Sequence, residues 1–266
     1  MPLPGAPAVI STGFVALDRL LGEGIPRCHL IEVFGPPDCA KTTLALHWIA
    51  AAQKQSCSAV YIDAEHKFDA SWAARCGVCL DGLVLARPDH GGQALAIAEA
   101  LLRSFSVDLL VIDTIAALSP PGTLIFGSET EASPELDPHE ELVSRMLRKL
   151  RHLAGRGGVA LVAVNQLRCR PQPGTPETSS AGRILGLHSS IRLHLRRESS
   201  RIWISSTKNK FAEPYEQVAM RLEGARLIPD ESLHLPASGW RPPRLGSSPY
   251  AGSQAAENEG EQPVAS

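Results

Sequence analysis

The sequence predicts an α/β fold, in which a mostly parallel, twisted sheet is flanked by helices and carries antiparallel strands at one edge. Short aliphatic or β-branched runs alternate along the chain with segments whose apolar residues recur at helical spacing. This alternation is typical of βαβ units, which build parallel sheets. The predicted strands are 29–34, 59–63, 109–113, 159–164 and 191–195, with antiparallel additions at 201–208 and 217–222, and the predicted helices are 41–55, 92–104 and 140–154.

Length and composition are those of a globular protein. The chain has 266 residues, of which 44% are hydrophobic and 20% are charged, enough for one large domain or two small ones. This composition excludes a wholly disordered protein, and no run approaches the roughly 18 apolar residues of a membrane span. The N-terminus also lacks the basic and apolar regions of a secretory signal. We therefore expect a soluble cytoplasmic protein with no membrane partner.

The two ends of the chain differ in character. Residues 1–240 are expected to form the core, whereas 241–266 contain almost no aliphatic residues and include Glu257, Glu259 and Glu261. Such a segment cannot bury enough apolar surface to order itself, so we expect a disordered acidic tail.

The charge is distributed unevenly. Residues 1–140 carry 8 basic and 17 acidic side chains, residues 141–210 carry 14 basic and 3 acidic, and residues 211–266 carry 4 basic and 8 acidic. The middle segment therefore has a net charge of +11. It is either a polyanion-binding surface or a set of solvated helix faces, and charge alone does not decide between them.

One C-x-x-C pair, Cys76 and Cys79, also has two interpretations. A metal or redox site would need a second pair or nearby histidines, which the sequence lacks, so two small half-buried residues are the simpler explanation. No metal ligand is assigned there.

The strongest motif follows the first predicted strand and opens the first predicted helix. It approximates the phosphate-binding loop G-x-x-x-x-G-K-[ST], in which backbone N–H groups, a lysine and a hydroxyl bind phosphates and Mg²⁺. Ala40 stands where the second glycine belongs, and its Cβ would strain the loop if the backbone needs a positive φ. The alternative is a chance strand–turn–helix. The loop comprises Gly35, Pro36, Pro37, Asp38, Cys39, Ala40, Lys41, Thr42 and Thr43.

Two acids strengthen this interpretation. Asp113 ends the strand LLVID, where a carboxylate can orient Mg²⁺, and Glu65 follows another strand, where it can polarise an attacking water. Taken alone, each acid would more often cap a helix or lie at a solvated strand end.

Together these segments resemble the bacterial RecA recombinase family. The resemblance implies a RecA-like P-loop ATPase core that uses ATP and Mg²⁺, and it extends in order from about residue 10 to 228. The matching motifs are ISTG (10–13), YIDAEH (61–66), PDHGGQAL (88–95), VDLLVIDTIAALSP (107–120), VNQLR (164–168), PETSSAG (176–182) and KNK (208–210).

The resemblance also implies roles at the ATP site. Lys41 matches the phosphate ligand, and Thr42 and Asp113 match the residues that hold Mg²⁺ directly and through water. Glu65 matches the catalytic base, and Gln166 matches the γ-phosphate sensor.

Four further residues complete that site in the family. Asp69 and Trp72 match the positions that contact adenine, although Trp72 has an alternative explanation as an ordinary buried aromatic. Lys208 and Lys210 match lysines that reach ATP on the neighbouring subunit of a filament, which would couple hydrolysis to assembly.

The same resemblance implies single-stranded DNA as a partner, with the chain itself or full-length RecA as a partner in a filament. Residues 120–140 resemble the first DNA-binding loop and 168–182 the second. Each arginine alone is also explained as a solvated charge. The implied DNA-binding residues are Arg145, Arg148, Arg168, Arg170, Thr178, Ser180 and Gly182.

Besides Ala40, three features depart from the family. The second loop is about two residues shorter and contains Pro171 and Pro173, and nothing before Ala8 matches the N-terminal oligomerisation segment. We also expect no counterpart of the family's compact C-terminal DNA-gathering domain. We therefore expect a divergent, truncated RecA paralogue whose self-assembly and strand exchange are affected more than its nucleotide binding.

The sequence leaves three functions open. The first is a DNA-dependent ATPase that binds single-stranded DNA in homologous recombination and DNA repair. The second is a catalytically weak or inactive adaptor that modulates a full-length recombinase or a repair polymerase. A small-molecule kinase is poorly supported, because no lid region is evident and the DNA-binding loops would be unexplained.

Overall fold

The computed structural model describes residues 8–118, 138–168, 178–179, 182–214 and 216–230. The predicted tail, 241–266, lies outside these residues. Within them, no helix has the length and apolar character of a transmembrane segment. The helices are α1 (Val15–Leu21), α2 (Lys41–Lys54), α3 (Ala70–Arg75), α4 (Gly91–Arg103), α5 (Pro138–Gly157) and α6 (Gly182–His188). The strands are β1 (Val9–Ile10), β2 (Ile25–Pro26), β3 (Leu30–Gly35), β4 (Ala59–Asp63), β5 (Leu83–Ala86), β6 (Leu109–Asp113), β7 (Ala160–Arg168), β8 (Thr178–Ser179), β9 (Ile191–Glu198), β10 (Arg201–Asn209), β11 (Gln217–Glu223) and β12 (Arg226–Pro229).

Among the described residues the main sheet has ten strands, nine of which follow the order β12-β11-β10-β9-β3-β7-β6-β4-β5. The strands from β9 to β5 pair in parallel, whereas β10, β11 and β12 add antiparallel strands beside β9. β8 pairs with the end of β7, and β1 and β2 form a separate two-stranded ribbon. The predicted fold, a mostly parallel sheet with antiparallel edge strands, is confirmed.

Strand alternation gives the sheet two buried faces, each covered by helices. On one face, Val33 of β3 belongs to a cluster with Trp48 of α2, which is fully buried. On the other face, Leu30 of β3 belongs to a cluster with Met146 and Leu150 of α5. The sheet is therefore the middle layer of a three-layer core, and the carboxyl ends of its parallel strands lie along one edge.

Several short elements escaped prediction. β5 has only four residues, all partly or largely exposed, and α1 and α3 have seven and six residues. None is long enough for a clear periodic pattern. α1 is instead held by a polar contact, because the Asp18 carboxylate accepts hydrogen bonds from Ser11 Oγ (2.6 Å) and from the Thr12 backbone N (2.7 Å). Gly22, at φ 85°, ends the helix in the left-handed conformation.

Candidate nucleotide-binding site

The loop between β3 and α2 is sharply turned. Asp38 and Ala40 both have left-handed backbones, with φ of 59° and 67°. Gly35 is required for a different reason. A Cβ at this position would lie 2.3 Å from the Leu195 carbonyl oxygen and 2.7 Å from Cys39 Sγ, closer than real Cβ atoms approach.

Ala40 therefore has the positive φ at which its Cβ strains the loop backbone. A non-glycine residue in this conformation costs roughly 1–2 kcal/mol. The turn still begins a regular helix, because the Leu44 backbone N donates to the Ala40 carbonyl at 2.9 Å. The alanine is accommodated in the loop geometry at the expense of local strain.

Lys41 lies inside this turn. Its side chain is largely buried, with the residue 7% exposed, and its Nζ donates to the Pro36 carbonyl oxygen (2.5 Å) and to Cys39 Sγ (3.6 Å). Burial raises the pKa of the Cys39 thiol, and the nearby ammonium only partly opposes this shift. The loop thus concentrates one positive charge where its backbone folds back, as a phosphate cradle requires.

Thr42 and Asp113 meet beside the loop. Thr42 Oγ1 donates to Asp113 Oδ2 at 2.6 Å, and Tyr61 Oη donates to the same oxygen at 2.7 Å. Burial raises the pKa of Asp113, while these two hydrogen bonds stabilise the carboxylate and oppose the shift. The pKa of Tyr61 is raised strongly by burial and by the adjacent Asp113 charge. Sequence reasoning found Thr42 and Asp113 but missed Tyr61.

Glu65 is the centre of a second group at the same edge. Its Oε1 accepts hydrogen bonds from Gln166 Nε2 (2.5 Å) and Thr114 Oγ1 (3.1 Å), and its Oε2 pairs with Lys67 Nζ at 2.8 Å. The hydrogen bond to Glu65 and its charge raise the pKa of Lys67. The Glu65 side chain is 18% exposed, so the carboxylate is shielded yet reachable. Sequence reasoning had selected Glu65 and Gln166 but not Thr114 or Lys67.

These groups line a single cleft of about 420 Å³ at the carboxyl ends of β3, β4, β6 and β7. Arg197 at the end of β9 and Leu222 of β11 were not selected from the sequence, because they are far from the motifs along the chain. The described lining residues are Pro37, Asp38, Cys39, Ala40, Lys41, Thr42, Thr43, Glu65, Lys67, Trp72, Asp113, Thr114, Gln166, Arg197 and Leu222.

The two residues implied to contact adenine are placed differently. Trp72 lies on the cleft wall, with its Nε1 3.3 Å from Thr43 Oγ1 and the Arg75 guanidinium 4.8 Å from its ring centroid. Asp69 does not line the cleft; its carboxylate accepts the Trp72 backbone N–H at 2.9 Å and caps α3. Its direct role in the structure is therefore to orient the helix that carries Trp72.

Lys208 and Lys210 lie away from the cleft of their own chain. Lys208 Nζ donates to the Gly186 carbonyl of α6 at 2.7 Å. Burial lowers the pKa of Lys208, and neighbouring positive charges, led by Lys210, lower it further. The cations of the +11 segment that act on Lys208 form what we call the basic cluster: Arg151, Arg192, Lys208 and Lys210, of which Arg192 also pairs with the buried Glu32.

The implied DNA-binding residues are only partly within the described chain. Arg145 and Arg148 are exposed on α5, where Arg145 pairs with Glu141 at 3.8 Å. Residues 119–137, which hold most of the first loop, and 169–177, which hold most of the second, lie outside the described residues. Arg170 and Ser180 are also outside the described residues. Arg168 ends β7, Thr178 begins β8 and Gly182 begins α6.

The C-x-x-C pair separates into unlike residues. Cys76 is buried, and burial raises the pKa of its thiol to about 11, whereas Cys79 is exposed. Among the described residues, no three His, Cys, Asp or Glu side chains are grouped as a metal site. A thiol that stays protonated at neutral pH is a poor metal ligand or nucleophile.

The family model of the RecA N-terminal domain matches residues 6–224. The chain belongs to the RecA family. It is 42% identical over 222 residues to the protein RecA of Roseiflexus sp. (strain RS-1), which is 79% of this chain and 62% of that protein. The RecA of Chloroflexus aurantiacus (strain ATCC 29364 / DSM 637 / Y-400-fl) is 42% identical over 221 residues, 78% of this chain and 62% of that protein. The RecA of Gluconobacter oxydans (strain 621H) is 41% identical over 223 residues, 79% of this chain and 64% of that protein. The chain thus spans a little over three fifths of the length of these RecA relatives.

Proposed function

We propose that this RecA-family chain binds ATP with Mg²⁺ in the cleft and hydrolyses ATP when it binds single-stranded DNA, as part of recombination and repair. The observation that carries the proposal is the convergence of three groups at one sheet edge. These are the Lys41 loop, the Thr42–Asp113 pair and the Glu65–Gln166 pair.

The residues fit the two cofactors. A hydroxyl and a buried carboxylate 2.6 Å apart offer the hard oxygen donors that Mg²⁺ prefers, with Thr42 as the direct ligand and Asp113 as its anchor. Lys41 supplies a fixed positive charge for the triphosphate, and Trp72 supplies an aromatic wall for the base. When bound, Mg²⁺ would neutralise charge on the phosphate oxygens during transfer.

The chain's own groups account for the hydrolytic step. Glu65 would accept a proton from an attacking water, and this role is supported by the hydrogen bonds of Thr114 and Gln166 to its Oε1. Gln166 lies near the end of β7, immediately before the segment that resembles the second DNA-binding loop. A shift of that segment on DNA would therefore move a direct partner of the catalytic carboxylate, which makes hydrolysis depend on DNA.

The basic cluster supports binding to an anion from outside the chain. Burial lowers the pKa of Lys208, and the nearby charges of Lys210, Arg192 and Arg151 lower it further, so an approaching polyphosphate would relieve this repulsion. In a filament with a second copy or with full-length RecA, Lys208 and Lys210 would meet the neighbouring ATP. Whether the neighbour is a second copy or full-length RecA, the ligand of these lysines is a phosphate anion.

The test is release of phosphate from ATP, measured with and without single-stranded DNA. We expect DNA to raise the rate, Lys41→Ala to abolish nucleotide binding, and Glu65→Gln to keep binding while slowing turnover roughly 10²- to 10⁴-fold. Lys54→Ala, which changes an exposed lysine at the other end of α2, is the matched control and should leave both unchanged.

A rate that ignores DNA, or a Lys41→Ala variant that hydrolyses ATP normally, would refute the proposal. Nucleotide binding without turnover, together with association with a full-length recombinase, would instead identify the adaptor.

A further inference from the structure

The middle of the sheet contains a charged residue that no motif explains. Glu32 lies in β3, between Ile31 and Val33, and is 0% exposed. An ionised carboxylate at such a position is unfavourable unless its oxygens are fully paired. Both are: Asn165 Nδ2 donates to Oε1 at 2.9 Å, and Arg192 Nε donates to Oε2.

From Glu32 one set of contacts leads to the catalytic group. Asn165 is buried in β7, and its side-chain oxygen accepts the backbone N–H of Gln166 at 2.9 Å. Gln166 in turn donates its side-chain amide to Glu65 at 2.5 Å. Asn165 therefore uses one end of its amide on Glu32 and the other on Gln166, so both contacts contribute to its orientation.

From Glu32 the other contacts lead to α6. The Arg192 guanidinium lies 3.5 Å from the Gly182 carbonyl oxygen through Nη2, and its carbon is 4.8 Å from the Phe34 ring centroid. Gly182 is the first residue of α6, the helix that follows the segment resembling the second DNA-binding loop. A displacement at the start of α6 would therefore shift Arg192 and, through it, the carboxylate that orients Asn165.

We propose that Glu32 is a positioning residue of the ATPase site: through Asn165 it sets the Gln166 amide against Glu65, and through Arg192 it makes that setting depend on the start of α6. The inference rests on the proposed function, because it names the residues through which that site is adjusted. In a buried, low-dielectric setting such a fully paired network has one favoured arrangement. A displaced α6 would therefore change the geometry at Glu65.

The first variant is Glu32→Gln, which keeps the shape and removes the charge. We expect kcat to fall roughly 10- to 100-fold, because small misplacements of catalytic groups cost rates of this order, while KM for ATP changes less than about twofold. The stimulation by single-stranded DNA should shrink as well. A merely structural role would lower the melting temperature without this split between kcat and KM.

The matched control is Asp108→Asn. Asp108 pairs with the buried Arg27 at 2.7 Å, and both residues precede strands of the same sheet, at the end opposite the cleft. This variant also weakens an ion pair to a buried arginine, so it should lower the melting temperature while leaving kcat, KM and DNA stimulation at wild-type values.

A second variant guards against failure to fold. Glu32→Leu combined with Arg192→Met removes both charges, and such replacements of buried ion pairs are commonly tolerated. In this double variant, hydrogen exchange at the Gln166 backbone amide, followed by NMR, should be at least about tenfold faster than in the wild type, because Asn165 has lost a hydrogen-bond acceptor. Glu32→Gln keeps an amide oxygen that can accept from Asn165, so its exchange should rise by a smaller factor. Asp108→Asn should not change that exchange rate.

The exchange measurement separates the two proposals, since it needs no turnover. A wild-type chain that does not hydrolyse ATP would refute the proposed function, yet the positioning role of Glu32 would still be judged by the Gln166 amide. Unchanged exchange in both Glu32 variants, or an equal increase in Asp108→Asn, would overturn the positioning role.

Discussion

At the scale of single residues, the Asp113 carboxylate is hydrogen-bonded by a neighbour that no sequence motif indicates. Its Oδ2 accepts hydrogen bonds from both Thr42 and Tyr61. Tyr61 lies 52 positions away along the chain, within a strand whose sequence explains it as an ordinary β-former. Its hydroxyl reaches Asp113 only because β4 pairs with β6.

We expect Tyr61→Phe to weaken the apparent affinity for Mg²⁺ roughly tenfold, because residues that orient a metal-site carboxylate have effects of this size. Loss of the hydroxyl also removes a contact that stabilises the ionised form, so the pKa of Asp113 should rise further. Titrating nucleotide binding with Mg²⁺ measures the change. The variant keeps the aromatic ring, so only the hydroxyl is removed. Unchanged or tighter Mg²⁺ binding would contradict this role.

Ala40 offers a second test at this scale. Ala40→Gly should relieve the left-handed strain, and, after allowance for the greater freedom of glycine in the unfolded chain, stabilise the protein by about 0.5–1 kcal/mol. The melting temperature should rise by about 1–4 °C. A gain in ATP turnover in the same variant would show that the alanine alone limits the site. A lower melting temperature would mean that the methyl group contributes packing that exceeds its strain.

At the scale of elements, the phosphate loop depends on how closely it packs against β9. The Leu195 carbonyl oxygen lies so near Gly35 that no side chain fits between the two strands. The first loop glycine is therefore determined by a strand 160 residues later in the chain, although the loop motif by itself requires the same residue.

Gly35→Ala should destabilise the protein by about 3 kcal/mol or more, because backbone atoms cannot yield as a side chain can. Gly155→Ala in α5 is the control: no heavy atom lies within 4 Å of the added Cβ, so the helix should gain up to about 1 kcal/mol. Urea unfolding of both variants gives the comparison. Equal stabilities would show that β9 moves away from the loop at little cost.

At the scale of the whole molecule, half-buried histidines link stability to pH. Burial is the main cause that holds the pKa of three of them below the usual 6.5, namely His29, His47 and His188. The unfolded chain therefore binds more protons than the folded chain just below that pH. Their contribution to stability is complete above about pH 6.5 and is lost as the pH falls through the lower folded-state values.

We expect the free energy of unfolding, measured with urea, to be lower at pH 5.5 than at pH 7.5. Burial raises the pKa of Asp113, and this shift would act in the opposite direction, because the folded chain then holds the extra proton. His47→Gln, which cannot titrate, should show a smaller difference between the two pH values. A protein that is equally stable or more stable at pH 5.5 would contradict the assignment.

Much of the fold followed from local pattern. The β-branched runs and the helical spacing predicted five parallel strands, two antiparallel edge strands and three long helices, and the loop motif with its neighbouring acids predicted which residues would meet. The order of the strands did not follow, because β3 pairs with β7 and β9, more than 120 residues later in the chain. Such pairing depends on which faces pack together rather than on any short stretch.

By itself the sequence determined the alternation of strands and helices, the phosphate-loop motif and the candidate acids, since each is encoded within a few consecutive residues. Only the tertiary structure decided that Tyr61 supports Asp113, that Arg197 lines the cleft and that Glu32 connects Asn165 to Arg192. The physical reason is range. Periodicity and turn chemistry act between near neighbours, whereas a buried polar group is stabilised by whatever partner the fold brings to it, however distant along the chain.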